Sequence, residues 1–196
     1  TSIQVGSNVK MLLGYNKTKP TCNMILFITH KYKAFQGHFG VIPSKFFYGY
    51  HPTALFSDDY LFNMPSVNGV VLNWNKELFD YTLGIDWIGA WSQTERERFI
   101  VFSNGVHRVL PWLGVGYDFY YYHLATSAVI EGVVDNAILY PHIDFHALQA
   151  LWVLDINLGW IQTMQRDRLT TDKFVFQGGG YSEQVFGWNG IFLKKT

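Results

Sequence analysis

A period of two constrains this chain more than any other feature. From Phe79 to Ser92, Phe79, Tyr81, Leu83, Ile85, Trp87 and Trp91 fall on one side of an extended chain, with Gly89 between the last two. Asp80, Thr82, Gly84 and Asp86 fall on the other. Side chains alternate faces along a strand, so this segment reads as one long amphipathic strand. The pattern returns near the start, where Ile3, Val5, Val9, Met11, Leu13 and Tyr15 oppose Gln4, Gly6, Asn8, Lys10 and Gly14. It returns again where Leu113, Val115, Tyr117, Phe119 and Tyr121 oppose Gly114, Gly116, Asp118, Tyr120 and Tyr122. A fourth case sets Trp152, Leu154, Ile156, Leu158 and Trp160 against Asp155, Asn157, Gly159, Thr163 and Gln165. Weaker alternation runs through 23–31, 34–42, 66–75, 98–107, 136–147 and 173–193, the last with room for two strands. The one helical stripe, within 148–165, is interrupted by Asp155, and almost no segment has the Ala, Glu and Lys of a good helix. The chain reads as all-β with roughly ten strands.

Composition narrows the setting. The 196 residues suit one domain, 1–196, or a piece of a larger one. Charged residues make up 15% and aromatics 18%, whereas a soluble domain usually carries about 25% charged residues. With 48% hydrophobic residues the chain is too apolar to stay disordered. Fifteen basic and fifteen acidic side chains leave no net charge, which argues against a nucleic-acid partner. The single cysteine, Cys22, makes neither an internal disulfide nor a Cys-rich zinc site. No run approaches the ~20 apolar residues of a transmembrane helix. The first residues already alternate and the last ones stop within a pattern, so the chain reads as an internal portion of a longer protein.

Alternation alone does not say which face is buried. In a soluble sandwich the apolar faces meet in a core. In an outer-membrane barrel they face lipid, and small and polar residues face the lumen. Three features favour the barrel: the strands are long, their polar faces carry Gly, Asn, Asp and Tyr instead of Lys and Glu, and aromatics mark the ends of apolar stripes. Trp152 and Trp160 would stand about 20 Å apart along the membrane normal at the usual strand rise and tilt, approaching the ~25 Å apolar band of such barrels. The expected fold is therefore an antiparallel transmembrane β-barrel, or a large contiguous part of one. Asp80, Asp86, Asp118, Tyr120, Asp144, Asp155 and Asn157 are the expected pore-lining residues.

Other segments carry narrower expectations. Residues 43–65 form a long aromatic loop with Pro43, Pro52 and Pro65, and long loops are often functional. Its Phe46, Phe47, Tyr48, Tyr50, Asp58 and Asp59 are candidates for narrowing the lumen or docking a partner. His142, Asp144 and His146 share a strand face and have metal-ligand chemistry, but positions i and i+4 of a strand lie about 13 Å apart. Ser103 and His107 share a face, as in a lipid hydrolase, with Asp118 as a conceivable third member, yet no Gly-x-Ser-x-Gly elbow accompanies them. Gly178-Gly179-Gly180 reads as relief at a turn or bulge. Asp58-Asp59 and Asp135-Asn136 could attract calcium but lack EF-hand spacing. The charged breaks at 93–98 and 165–173 place Arg96, Arg98, Arg166 and Arg168 where lipopolysaccharide phosphates or a partner protein could meet them. The residues call for no cofactor.

Several phrases resemble uncharacterised porin-like outer-membrane proteins of Bacteroidota. They are Phe35-Gln36-Gly37-His38-Phe39-Gly40-Val41-Ile42-Pro43, Pro65-Ser66-Val67-Asn68-Gly69, Asp86-Trp87-Ile88-Gly89, Glu95-Arg96-Glu97-Arg98-Phe99, Gly132-Val133-Val134-Asp135-Asn136 and Gln165-Arg166-Asp167-Arg168. The resemblance implies a Gram-negative outer membrane, a longer parent barrel and no assigned catalytic residues. A porin-like channel for small solutes, or a barrel subunit of a larger outer-membrane assembly, is the expected function. The expected partners are membrane lipid, lipopolysaccharide and other outer-membrane proteins or further copies. A soluble sandwich or lipocalin-like binder and an outer-membrane lipid hydrolase are the alternatives.

Overall fold

The computed structural model describes residues 1–10, 20–46, 55, 65–127, 129–149, 152–189 and 191–195. Eleven strands run through it: β1 (Ser2–Lys10), β2 (Thr21–Tyr32), β3 (Phe35–Pro43), β4 (Ser66–Lys76), β5 (Phe79–Gly89), β6 (Arg98–Leu110), β7 (Leu113–Leu124), β8 (Val134–Gln149), β9 (Trp152–Asp167), β10 (Val175–Trp188) and β11 (Ile191–Lys195). They form one antiparallel sheet in which spatial order equals chain order. The chain is thus all-β, as its periodicity requires, and among the described residues no α-helix occurs. β8 and β9 have 16 residues each, against about 5–6 for an average strand.

Two sequence expectations need correction. β5 ends at Gly89 with a register shift between Trp87 and Gly89, so Trp91 is not on the strand. Gly178–Gly180 occupies neither a turn nor a bulge. It pairs in regular register with Gln162, Ile161 and Trp160 of β9. A Cβ on Gly178 would lie 2.7 Å from the Trp160 indole nitrogen, so this glycine makes room for that ring. The region 173–193 does contain two strands, which raises the count to eleven.

Connection lengths divide the sheet into two rims. The β2–β3, β4–β5, β6–β7, β8–β9 and β10–β11 connections have two residues each, and the alternate ones have seven to 22. Neighbouring strands are antiparallel, so all the short connections fall on one rim and all the long ones on the other. β1 and β11 are the sheet edges. In an eleven-strand meander these edges run the same way, so antiparallel closure takes an odd number of additional strands.

Exposure separates the two faces. The registers put Thr29, His38, Asn73, Thr82, Asp86, Asn104, Asp118, His142, Asn157 and Glu183 on one face, and all ten are buried. The opposite face carries Phe39, Trp74, Leu83, Val115, Ile143, Leu158 and Trp160, which are exposed; Leu83 is 49% and Trp160 51% accessible, against 1% for Asp118. A flat sheet would expose both faces alike. This one therefore curls around its polar face, the inner face hereafter. The arrangement is the reverse of a soluble core, where burying polar groups while exposing apolar ones would be unfavourable.

Aromatic rings gather toward both ends of the outer face. Near the short-turn rim, Trp74 packs edge-on to Phe79 at 5.3 Å and Trp112 stacks on Phe145 at 6.3 Å. Near the long-loop rim, Phe99 lies 5.5 Å from Trp87 and 4.9 Å from the His123 ring.

Candidate functional site

All seven residues expected to line a lumen stand on the inner face, because strand parity assigns faces locally and the pairing registers keep that parity from strand to strand. Their surroundings differ in a way the sequence did not reveal. Asp80 is joined to Arg108 of β6, which also donates to the Glu77 carbonyl. Asp86 accepts from the Asn68 backbone N–H at 2.8 Å. Tyr120 packs beside an apolar group made by Phe27, Ile42, Val67, Val71, Ile100 and Phe102.

The remaining four belong to a polar belt across β7–β10. His142 Nε2 lies 3.2 Å from an Asp118 oxygen and Nδ1 lies 3.1 Å from Asp144. Asn157 contacts His142 Nδ1 at 2.9 Å, bonds to Asp144 and accepts from the Tyr140 hydroxyl. His146 pairs with Asp155 closer to the short-turn rim. A concavity of roughly 280 Å³ opens beside Asp144, His146, Asp155, Asn157 and Glu183. Glu183 was missed from the sequence. It accepts from the Tyr181 hydroxyl at 2.6 Å and lies 3.5 Å from Lys194. Gln177, Gly179, Tyr181 and Glu183 share the inner face, but the three glycines obscured that alternation.

The belt depends on missing side chains. A Cβ on Gly116 would lie 2.6 Å from the His142 ring, and one on Gly159 would lie 2.5 Å from the Tyr140 ring and 2.3 Å from the Pro141 carbonyl oxygen. These bare backbone positions let the two rings lie flat along the wall, stacked 5.1 Å apart.

His142, Asp144 and His146 do share a face, but they do not converge on one point. His142 engages Asp118 and Asp144, whereas His146 turns to Asp155. Among the described residues no group of three or more His, Cys, Asp or Glu is arranged to hold a metal ion. Ser103 and His107 lie on the outer face, and Ser103 Oγ hydrogen-bonds the Tyr117 hydroxyl at 2.9 Å. Asp118 is on the opposite face, so these three side chains are not brought together. Asp135 is enclosed by Tyr121, His123, Arg166 and Arg168, an environment of donors and not of cation ligands.

The long loop enters the inner face at its start. A 3₁₀ turn, Ser44–Phe46, follows β3. The Phe46 ring lies 4.3 Å from His38 and 5.3 Å from Phe27, its carbonyl accepts from Asn73, and Leu55 joins the same apolar group. Phe47, Tyr48, Tyr50, Asp58 and Asp59 lie outside the described residues. The inner surface thus has an apolar zone capped by Phe46 and Leu55, and a polar belt beside it. No protein-family model, curated protein or solved structure matches this chain.

Proposed function

We propose that this sheet is the wall of an outer-membrane β-barrel that works as a porin-like channel for small solutes. The observation that carries the reading is the pairing of a buried polar inner face with an exposed apolar outer face. Lipid would cover the outer face, and strands that hydrogen-bond to one another satisfy their backbone groups where water is absent. β2 and β6 to β10 have 12 to 16 residues and β1, β3, β4 and β5 have 9 to 11, so these strands reach the about 9–11 residues that a bilayer crossing needs. Barrels of this kind keep short turns on the periplasmic side and longer loops outside, so the long-loop rim is the extracellular one.

Carboxylates lead the charge of the proposed lumen. Asp86, Asp118, Asp144, Asp155 and Glu183 face inward. Lys10, Lys31, Arg98, Arg108 and Lys194 also stand on the inner face, Arg108 beside Asp80 and Lys194 beside Glu183, so the acidic stretch is the one formed by Asp118, Asp144 and Asp155 on β7 to β9. Rings of acidic side chains favour cations. Reversal potentials in a salt gradient should therefore show cation preference, and an Asp144→Asn/Asp155→Asn variant should move them toward zero. A preference for anions would sink the assignment. Protein from the native membrane fraction should also migrate differently with and without boiling. A soluble protein with no heat shift would retire the barrel.

A further inference from the structure

The four arginines of the charged breaks do different things. Arg96 donates to the Ala125 and Gly132 carbonyls at 2.7 Å each and so ties down the β7–β8 connection. Arg98 starts β6, paired with Leu124. Arg166 and Arg168 instead converge on the outer surface at the long-loop rim. Both bind one carboxylate oxygen of Asp135: Arg166 through Nε at 3.1 Å and Nη2 at 2.6 Å, Arg168 through Nε at 3.2 Å and Nη2 at 3.0 Å. The other oxygen accepts from the Tyr121 hydroxyl at 2.7 Å and lies 2.7 Å from His123 Nδ1. Arg166 also sits 4.4 Å over the Phe174 ring.

On the outer face this arrangement sets two guanidiniums against one buried carboxylate; Asp167, between them in sequence, has the inner-face parity and accepts from the Leu169 N–H. One guanidinium balances the buried Asp135 carboxylate, yet two are present. The side chain of Arg168 is 42% exposed and that of Arg166 is 21% exposed, against 0% for Asp135. Each guanidinium commits its Nε and Nη2 to Asp135, which orients its remaining edge. Such planar forks suit phosphate oxygens better than a mobile lysine does. Further along the same strands, away from this rim, the outer face turns apolar: Leu139 and Ile143 on β8, Leu158 and Trp160 on β9 are exposed. A lipid with its phosphate at the arginines could lay its acyl chains on that surface.

We propose that Arg166 and Arg168, oriented by Asp135, bind the phosphate of an anionic lipid in the leaflet on the long-loop side. The proposal rests on the barrel reading. The recognised chemistry is a phosphate monoester, and the apolar strip beside it commits the site to a lipid and not to free phosphate.

Native mass spectrometry of the folded protein in neutral detergent tests it, with diphosphoryl lipid A and its dephosphorylated form as probes. The dephosphorylated form should bind about tenfold more weakly, the usual scale for losing one charge-assisted contact. Arg168→Gln, which leaves Asp135 paired with Arg166, should weaken the diphosphoryl form by about the same factor. Equal binding of the two lipids, or unchanged binding by Arg168→Gln, would overturn the proposal. Displacement by inorganic phosphate at equal concentration would overturn the lipid assignment. If Arg168→Gln loses its heat shift, Arg168→Lys replaces it, keeping the charge without the fork; undiminished binding there counts against the site. A parent protein with no heat shift that purifies without detergent refutes the barrel itself, a result separate from a folded barrel that ignores phosphate.

Discussion

Deleting residues 45–64 and joining Ser44 to Pro65 through Asn-Gly should raise single-channel conductance several-fold. The deletion is sterically mild, because the Ser44 N–H donates to the Pro65 carbonyl at 2.9 Å and the two loop ends are already adjacent. A two-residue Asn-Gly turn is a favoured way to close such a hairpin. What disappears from the inner face is the apolar cover made by Phe46 against His38 and Phe27 and by Leu55 against the neighbouring apolar group. β3 and β4 keep their own pairing from Phe35↔Trp74 to Pro43↔Ser66, so the wall should survive. Planar-bilayer recordings of parent and deletion, each checked for its heat shift, read the result. Unchanged conductance would show that the loop does not narrow the path. A folded barrel that conducts in neither form would favour a structural subunit of a larger membrane assembly.

Gly159→Val should destabilise the folded protein by about 3 kcal/mol, at the upper end of ordinary overpacking. Its Cβ would meet the Pro141 carbonyl oxygen at 2.3 Å, the Tyr140 ring at 2.5 Å and the His142 Cβ at 2.9 Å. The first contact is with backbone on the paired strand and cannot rotate away. Relief by moving Tyr140 would break its bond to Asn157 and disturb its edge-on contact with Tyr181. Gly179 supplies the control. It also faces inward, on the adjacent strand, and a Cβ there meets nothing within 4 Å. Gly179→Val should therefore be nearly neutral, with some gain from the β-preference of valine. Urea titrations of the heat-shifted band would compare the two variants. Equal midpoints would mean that the inner wall is looser than these contacts imply.

The strands and their faces were legible in the sequence for a local reason. Side-chain direction alternates at every residue of a strand, so Asp80 and Asp86, or Asp155 and Asn157, share a face wherever the strand sits in space. That logic needs no partner strand. It failed at β10, where glycines carry no side chain to mark a face and Glu183 went unseen. It also misread Gly178–Gly180 as a turn or bulge; the Trp160 indole accounts for the missing side chain at Gly178, while Gly179 and Gly180 face open space.

Pairing and direction came from tertiary structure. Sequence alone could not say that Arg108 reaches Asp80, that His142 sits between Asp118 and Asp144 while His146 turns to Asp155, or that Asp135 faces outward among two arginines. Those contacts depend on register between strands, and a shift of one residue would move every side chain to the other face. By itself the sequence determined an all-β chain of long amphipathic strands. Only the curl of the sheet decided that its polar faces are the buried ones, because alternation is the same for a sandwich and a barrel until the strands are assembled around one side.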